Sequence, residues 1–483
     1  MDTPQFEVPV IGGGLLVALM ATLHVFTANF IVGGSVFLIV LERRGWVDAA
    51  RAYAKSLLVT MGVVGSVTGV GTWFVILGVA PRATLELVRI FFWPLVAEYA
   101  MFVLEIAAMA AVVYGWDRLR RRPWEITAAA ASWLSLAIIN GLLSFMLTSG
   151  TWPETRSLAD AFFNPTYLPS LLHRGLASIA VTGIGGLLFA SFRTDDAARA
   201  ALTRLSAKWF LVPTLLQFAA GTWYLFAMRP EQRQWLMGHS IVLSMMWTGA
   251  IGLALLLCGY VAVQGLKLGR MGIGSAGLCA IMLLTVVGLM EAAREAVRRP
   301  YLIDRHMYSN QILVSEVAEL NRSGILSRAG LTDPARAGET IFRLECRSCH
   351  TERGFVGIKY SVKGRTVEEL DLFLEKQIER WHPFMPVFIG TPEERRALAR
   401  YLVEVTPPPD GDPDIGELAA RSRAACEAVS RDGSFVRLLR SVFVPEDGSC
   451  LLVFEAMSAE AVRRAMGRSG LASEHVTEAE VAT

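Results

Sequence analysis

Eight long apolar runs constrain the first 300 residues of this chain more than any other feature of its sequence. A helix that crosses a bilayer needs about 20 mostly apolar residues, and its backbone groups must find their hydrogen bonds within the helix. We therefore predict a bundle of about eight transmembrane helices. The runs occupy roughly residues 9–41, 56–80, 91–115, 124–148, 173–192, 209–227, 240–265 and 273–292.

Positive charges in the short loops predict how these helices are oriented. Cytoplasmic loops carry an excess of Lys and Arg, and here the loops after odd-numbered runs are the rich ones. This predicts a multi-pass protein of the cytoplasmic (inner) membrane. Its N-terminus and everything beyond residue 300 would lie on the outer, periplasmic side. The loops after the first and third runs carry Arg43, Arg44, Arg51, Lys55, Arg118, Arg120, Arg121 and Arg122.

After residue 300 the composition changes to that of a soluble protein. A net charge of +2 gives no indication of nucleic-acid binding. In the last module, Cys426 and Cys450 form either a disulfide in an oxidising compartment or two separate buried thiols. The predicted divisions are a transmembrane bundle at 1–300, a connector at 301–334, a small domain at 335–406, a linker at 407–413 and a last module at 414–483.

The small domain contains Cys346-Arg-Ser-Cys349-His350, a CxxCH motif. Two thiols at this spacing form thioethers to one haem, and the adjacent imidazole ligates its iron. Met385, which lies 35 residues after His350, is the expected second axial ligand, because Met commonly fills that position in cytochromes c. With a helix before the motif and another at 391–405, the segment resembles a small all-α class I cytochrome c domain. We predict one covalent haem c.

Ionisable side chains within the apolar runs indicate function, because a charge in a bilayer costs free energy. Taken singly, each of them is better explained by a packing contact than by a function. Together with Met side chains, they suit haem ligation and proton transfer. The set consists of His24 in the first run, Glu98 and Glu105 on one face of the third, His173 at the start of the fifth, Met245 and Met246 in the seventh, and Glu291 and Glu295 at the end of the predicted eighth helix.

In their order along the chain, these residues resemble subunit I of the cytochrome bd-type quinol oxidases over about residues 10–300. The Gly-Trp-Asp that follows Glu105 adds to the likeness, as does the Val-Thr-Gly within the second run. The matching positions are His24, Val67-Thr68-Gly69, Glu98, Glu105, Gly115-Trp116-Asp117, Asn164-Pro165 with His173, Met245 with Gly249, and Glu295-x-x-Arg298-x-Pro300.

The resemblance implies a bundle with three haems. His173 and Met245, with Met246 as the alternative, would ligate a low-spin haem b, and Glu295 of the Glu-x-x-Arg298 motif would ligate a second haem b. His24 would ligate a third membrane haem of b or d type at the oxygen-reducing site. Glu98 would lie at the high-spin haem pair and Glu105 on a proton route.

The sequence also departs from that family. The connection at 228–239 is too short for the family's quinol-binding loop, and no ninth apolar run follows the eighth. We expect a terminal-oxidase-like oxidoreductase that passes electrons between haem c and the membrane haems and reduces oxygen to water. Its redox partner would be quinol or a periplasmic cytochrome c. A subunit II-like protein or a larger respiratory complex would accompany it, surrounded by membrane lipids.

Two alternative functions remain open from the sequence. One is an electron conduit from quinone to a periplasmic cytochrome without an oxygen reaction, and the other is a redox or gas sensor. Residues 436–455 resemble small ferredoxin-like domains, which implies an α+β module at 414–483. The predicted fold class is therefore mainly α, a polytopic membrane bundle with a small cytochrome c domain and a small α+β module.

Overall fold

Eight helices long and apolar enough to cross a membrane dominate the part of the chain that the structure describes. The structure is a computed structural model, and it describes residues 6, 8–329, 336–352, 354, 357–378, 384–405, 415–444 and 449–469. The prediction of a mainly α, multi-pass membrane protein is confirmed. The helices are α1 (Gly13–Arg43), α2 (Val47–Val79), α3 (Phe92–Tyr114), α4 (Arg121–Leu147), α5 (Tyr167–Ser191), α6 (Asp196–Ala227), α7 (Ile241–Lys267) and α8 (Ile273–Val297).

Two of these helices begin well before their apolar runs. Helix α2 starts at Val47 and α6 at Asp196, because the polar segments in front of both runs are themselves helical. Asp195 caps α6, with its carboxylate accepting a hydrogen bond from the Ala198 amide at 2.9 Å. An Asp at this position satisfies a backbone donor that the helix leaves free.

Glycines let the central helices approach backbone to backbone. On α1, a Cβ at Gly33 would collide with the carbonyl oxygen of Ser178 on α5. On α5, a Cβ at Gly183 would collide with the backbone of Phe210 on α6. Small residues allow such close packing in membranes, where dispersion contacts stabilise helix pairs. The contact of α1, α5 and α6 therefore depends on these two glycines.

Replacing Gly33 with Ala is expected to destabilise the bundle by about 1–3 kcal/mol, because the added methyl group forces α1 away from α5. Gly252→Ala is the matched control, since nothing lies within 4 Å of a Cβ at that helical glycine. That control is expected to gain up to about 1 kcal/mol. Thermal unfolding in detergent measures both effects. Equal shifts for the two variants would contradict this account of the helix contact.

The chain after α8 forms a lid over one end of the bundle, which we define as residues 301–316. It contains the short antiparallel strands β1 (Tyr301–Ile303) and β2 (Met307–Tyr308). Its anchor is Asp304, which is 1% exposed. Both the amide and the hydroxyl of Ser149 donate to the Asp304 carboxylate at 2.9 Å. Arg229 forms an ion pair with it at 3.2 Å.

A second set of contacts ties the lid to the loop between α2 and α3. Arg82 donates to the carbonyl oxygen of Gln311 at 2.7 Å and to the carboxylate of Glu316 at 3.0 Å. His306 lies 3.2 Å from Glu86. The lid therefore joins three separate loops, which follow α2, α4 and α6 and lie at the same end of the bundle.

By its internal contacts the chain divides into two units, one of residues 1–358 and 368–399 and one of residues 359–367 and 400–483. The second contains the antiparallel hairpin β3 (Val436–Val444) and β4 (Ser449–Ala456). Cys426 is a buried free thiol, whereas the Cys450 side chain lies outside the described residues. The helices Ile415–Arg431 and Ala459–Ser469 belong to this second unit, and the earlier helices Ile358–Val362, Val367–Leu372 and Pro392–Val405 include residues of both units.

The other short helices lie between the long ones or after α8. They are Pro81–Ile90, Trp152–Thr155, Leu158–Phe162, Pro230–Gln234, Trp235–His239, Val314–Glu316, Val317–Ser323, Leu326–Ala329, Ala337–Ile341, Phe342–Cys346 and Phe373–Gln377.

Candidate functional site

A cavity of about 360 Å³ lies between α1, α5, α6, α7 and α8. Its volume falls within the range of small-molecule and cofactor sites, which are mostly apolar with a few convergent polar groups. Most of the wall is aliphatic or aromatic. The polar and charged residues in the wall are Asn29, His173, Arg174, Thr214, Gln217, Thr222, Tyr224, Glu291 and Arg294.

His173 reaches this cavity from the first turns of α5. Its Nδ1 is buried and has no hydrogen-bond partner among the described residues. A Cβ at Gly221 would lie 3.5 Å from the imidazole Nδ1 and Cε1, so a glycine on α6 leaves the space beside the ring open. An unpartnered imidazole in an apolar cavity fits a haem with His173 as an axial ligand.

The methionines near this cavity differ in where their side chains lie. Met245, the ligand that the resemblance implies, is 68% exposed and is not part of the cavity wall. Met246 is partly buried against a hydrophobic cluster that includes Leu236 and Val297, two residues of the wall. Met228 and Met290 line the cavity directly. The structure thus brings His173 together with these two methionines and not with Met245.

Glu295 and Arg298 pair with each other at the end of α8. Arg298 is 4% exposed, and its Nη1 lies 3.5 Å from the sulfur of Met146 on α4. Neither residue belongs to the wall of the His173 cavity. The pair therefore forms a separate polar position next to that cavity.

His24 lies on α1 and faces α2. Its Nδ1 is hydrogen-bonded to the hydroxyl of Thr68 at 3.2 Å. A Cβ at Gly69 would lie 3.1 Å from the imidazole Cε1, so glycine leaves room beside this ring as well. His24 is not among the residues that line the His173 cavity.

Glu98 and Glu105 both point from α3 toward α4. The hydroxyl of Ser135 donates to Glu98 at 3.0 Å, and Glu105 lies beside Ser132, one turn earlier on the same helix. Glu105 is 7% exposed. The two carboxyl groups therefore form a short row of protonatable groups between α3 and α4.

The CxxCH motif forms a tight turn after the helix Ala337–Ile341. The amides of Cys349 and His350 both donate to the carbonyl oxygen of Cys346, at 3.1 and 2.9 Å. Both cysteines are free and partly exposed, so a turn that holds two free thiols and an imidazole fits the covalent attachment of haem. Burial raises the pKa of the neighbouring Glu345 well above its usual value.

The segment that carries Met385 is held close to this motif. The carboxylate of Glu345 accepts a hydrogen bond from the amide of Ile389 at 3.2 Å. The amide of Gly390 donates to the side chain of Asn321 at 2.9 Å. Both predicted axial ligands of haem c, His350 and Met385, therefore belong to one connected region.

Two contacts and one electrostatic interaction connect this region with the end of the bundle that also carries the lid. The ring of Phe384 packs on Trp235 with 4.6 Å between centroids. Interaction with the Cys349 sulfur raises the pKa of Arg299, which follows α8. A Cβ at Gly354 would collide with the carbonyl oxygen of Pro9, just before α1. Because Leu236 lines the cavity, Trp235 lies directly next to the cavity wall.

Comparison with known proteins identifies the type of fold. No family model matches the sequence, and no curated protein is significantly similar to it. One of the solved structures that match is the bd oxidase from Geobacillus thermodenitrificans, at a TM-score of 0.52 and 16% identity. The match covers 60% of this chain and 87% of that one. The chain has a bd-type fold. The expected likeness of the bundle to bd oxidases is thereby confirmed at the level of fold.

Several residues of this bd-type bundle were not predicted as site residues. Arg174 and Arg294 line the cavity, and an arginine such as Arg174 within an apolar run is itself a signal of function. Gly221 and Met290 gave no comparable signal, because glycine and methionine are ordinary residues of apolar helices. The contact between Trp235 and Phe384 joins two loops that are far apart in the sequence. The periodicity of apolar residues along the sequence does not predict such a contact.

Proposed function

We propose that this protein is a membrane-bound respiratory oxidoreductase that passes electrons between a covalent haem c and haems in the bundle and reduces oxygen to water. The observation that carries the proposal is the packing of Phe384, in the region that carries the CxxCH turn, on Trp235 next to the His173 cavity, in a chain with a bd-type fold. When bound, haem supplies one-electron transfer and, where the iron has an open position, oxygen binding.

The proposed cofactors are one haem c, two haems b and a third membrane haem of b or d type. Cys346 and Cys349 would anchor haem c, with His350 and Met385 as its axial ligands. In the bundle, His173 would ligate the low-spin haem b. Met290 and Met228 join Met245 and Met246 as candidates for its other ligand, because both line the same cavity.

The remaining ligands and the proton carriers follow the same scheme. Glu295, oriented by Arg298, would ligate the second haem b, and His24 would ligate the third membrane haem. Glu98 and Glu105 would hold and transfer protons, with the Ser135 hydroxyl fixing the Glu98 carboxylate. Carboxyl side chains within a bundle commonly serve as proton relays.

The proposed surroundings are a cytoplasmic membrane, with the cytochrome c region and the module at 414–483 on the outer side. Quinol or a periplasmic cytochrome c would be the redox partner. A subunit II-like protein or lipid would cover the apolar outer faces, for which the high exposure of Val67, Val70 and Phe74 on α2 provides support. The ferredoxin-like identity of the last module belongs to the same proposal.

Carbon monoxide tests this function directly, since it binds reduced haem iron only where a coordination position is open. We expect reduced-minus-oxidised spectra of membranes with the full chain to contain c-type and b-type bands. Carbon monoxide should shift part of the b or d signal and leave the c band unchanged. Oxygen consumption with a reduced cytochrome c or a quinol should be lost when carbon monoxide is present.

Each other outcome identifies one alternative. Haem bands that ignore carbon monoxide, together with electron transfer from quinol to a soluble cytochrome, would establish an electron conduit and overturn oxygen reduction. Haem bands without any turnover, with a partner bound by residues 414–483, would establish a sensor.

A further inference from the structure

Three charged side chains lie together in the wall of the His173 cavity. We call Arg174 of α5 and Glu291 and Arg294 of α8 the triad. The Nε of Arg294 donates to the Glu291 carboxylate at 2.8 Å, and Arg174 lies 3.7 Å from the other oxygen of the same carboxylate. All three side chains are less than 20% exposed, at 13%, 17% and 16%.

The charges of the triad do not cancel. Two guanidinium groups face one carboxylate, and no other Lys, Arg, Asp or Glu is part of the cavity wall. The next acid, Glu295, is paired with Arg298. Arg294 also has a buried Nη1 without a hydrogen-bond partner among the described residues. An excess positive charge inside a membrane protein costs free energy unless an anion accompanies it.

The rest of the cavity wall indicates the kind of molecule to which that anionic group belongs. Its wall is mainly aliphatic and aromatic, including Val181, Phe210, Trp247, Leu257 and Leu283. A ligand with an apolar body and an acidic edge would pack against the apolar wall and pair with the two arginines. Guanidinium groups bind carboxylates through two parallel hydrogen bonds, and Arg294 has the free donor for such a contact.

We propose that Arg174 and Arg294, positioned by Glu291, form a carboxylate-binding site that holds a propionate of the tetrapyrrole bound in this cavity. The inference rests on the proposed function, because it takes haem as the occupant. It adds a residue role that the bd-type resemblance does not supply. Glu291 acts as a positioning residue that keeps the two guanidinium groups together.

Two forms of one probe test this site in the full chain. Protein freed of its non-covalent haem is titrated with protohaem IX and with its dimethyl ester, which lacks the two negative charges, and Soret absorbance gives both affinities. The native protein should prefer the free acid. Arg294→Gln should reduce that preference about tenfold, the effect of one charge-assisted hydrogen bond. Arg174→Gln should also reduce it, and Arg294→Lys should restore part of it.

Glu291→Gln separates binding from mere packing, because the amide keeps an oxygen that accepts the hydrogen bond from Arg294, whereas the negative charge next to both arginines is lost. The preference for the free acid should then rise, opposite to the effect of the arginine variants. Arg233→Gln is the matched control. That arginine lies at the same end of the bundle, where it packs over Phe226 away from the cavity wall, and its loss should leave the ratio of affinities unchanged.

The ratio of the two affinities also distinguishes a failure of the carboxylate site from a failure of the proposed function. Unchanged ratios in Arg294→Gln and Arg174→Gln, with both probes still bound, would overturn the carboxylate site and leave the proposed function intact. A lower ratio in Glu291→Gln would overturn it as well. If the native protein binds neither probe, the haem proposal fails and this inference fails with it. Covalent haem c content, read on the same samples, verifies that each variant is assembled.

Discussion

Replacing His173 with Ala is expected to remove the proposed low-spin haem from the bundle and leave the proposed covalent haem c in place. The imidazole enters an apolar cavity without a hydrogen-bond partner for Nδ1 among the described residues, so an iron ion is the partner that its chemistry suits. Loss of a group that merely orients a metal ligand lowers affinity roughly 10–100-fold. Removal of the ligand itself should therefore exceed about 100-fold.

Non-covalent haem extracted per chain, together with the reduced spectrum, measures this loss. His239→Ala is the control, since His239 is exposed and lies outside the cavity wall. It should retain the native haem content. A His173→Ala protein with an unchanged bundle spectrum would contradict the assignment of this ligand.

Replacing both Cys346 and Cys349 with Ser is expected to abolish covalent haem. Thioether bonds survive denaturation, whereas axial ligation by His350 and Met385 does not. The native chain should retain haem-dependent peroxidase staining on a denaturing gel, and the double variant should lose all of it. Either single variant still has one thiol and should keep a reduced signal.

The control for this experiment is Cys258→Ser, because Cys258 lies in α7, outside the motif. Its staining should equal that of the native chain. Persistent staining of the double variant would show that haem is attached elsewhere, and the cytochrome c assignment would then be wrong.

The sequence predicted the membrane helices because apolar composition is a property of contiguous residues. The predicted helices were too short where a helix begins with polar residues. The early starts of α2 and α6 are segments whose polar residues continue a helix outside the apolar run. Apolar composition predicts which part of a helix lies in lipid. It does not predict the residue at which the helix begins.

Site residues were harder to predict where two candidates are adjacent. Met245 and Met246 differ by about 100° around the helix axis. The Met-x-x-x-Gly spacing that selects Met245 does not report which of the two side chains faces the inside of the bundle. Met245 is 68% exposed, whereas Met246 is partly buried against a hydrophobic cluster. The triad was missed for another reason, because Arg174 and Arg294 become neighbours only when α5 and α8 pack.

The lid has a consequence for the order in which the chain assembles. Glu316 meets Arg82 across 234 positions of sequence, and Asp304 meets Ser149 across 155. Contacts of such long sequence separation form late, because the intervening chain must first be ordered. These loops are joined only after the eighth helix has been synthesised and inserted. Closure of the lid therefore marks the completion of the membrane part, and a ribosome stalled before residue 300 would leave a bundle in which the loops after α2, α4 and α6 are not yet joined.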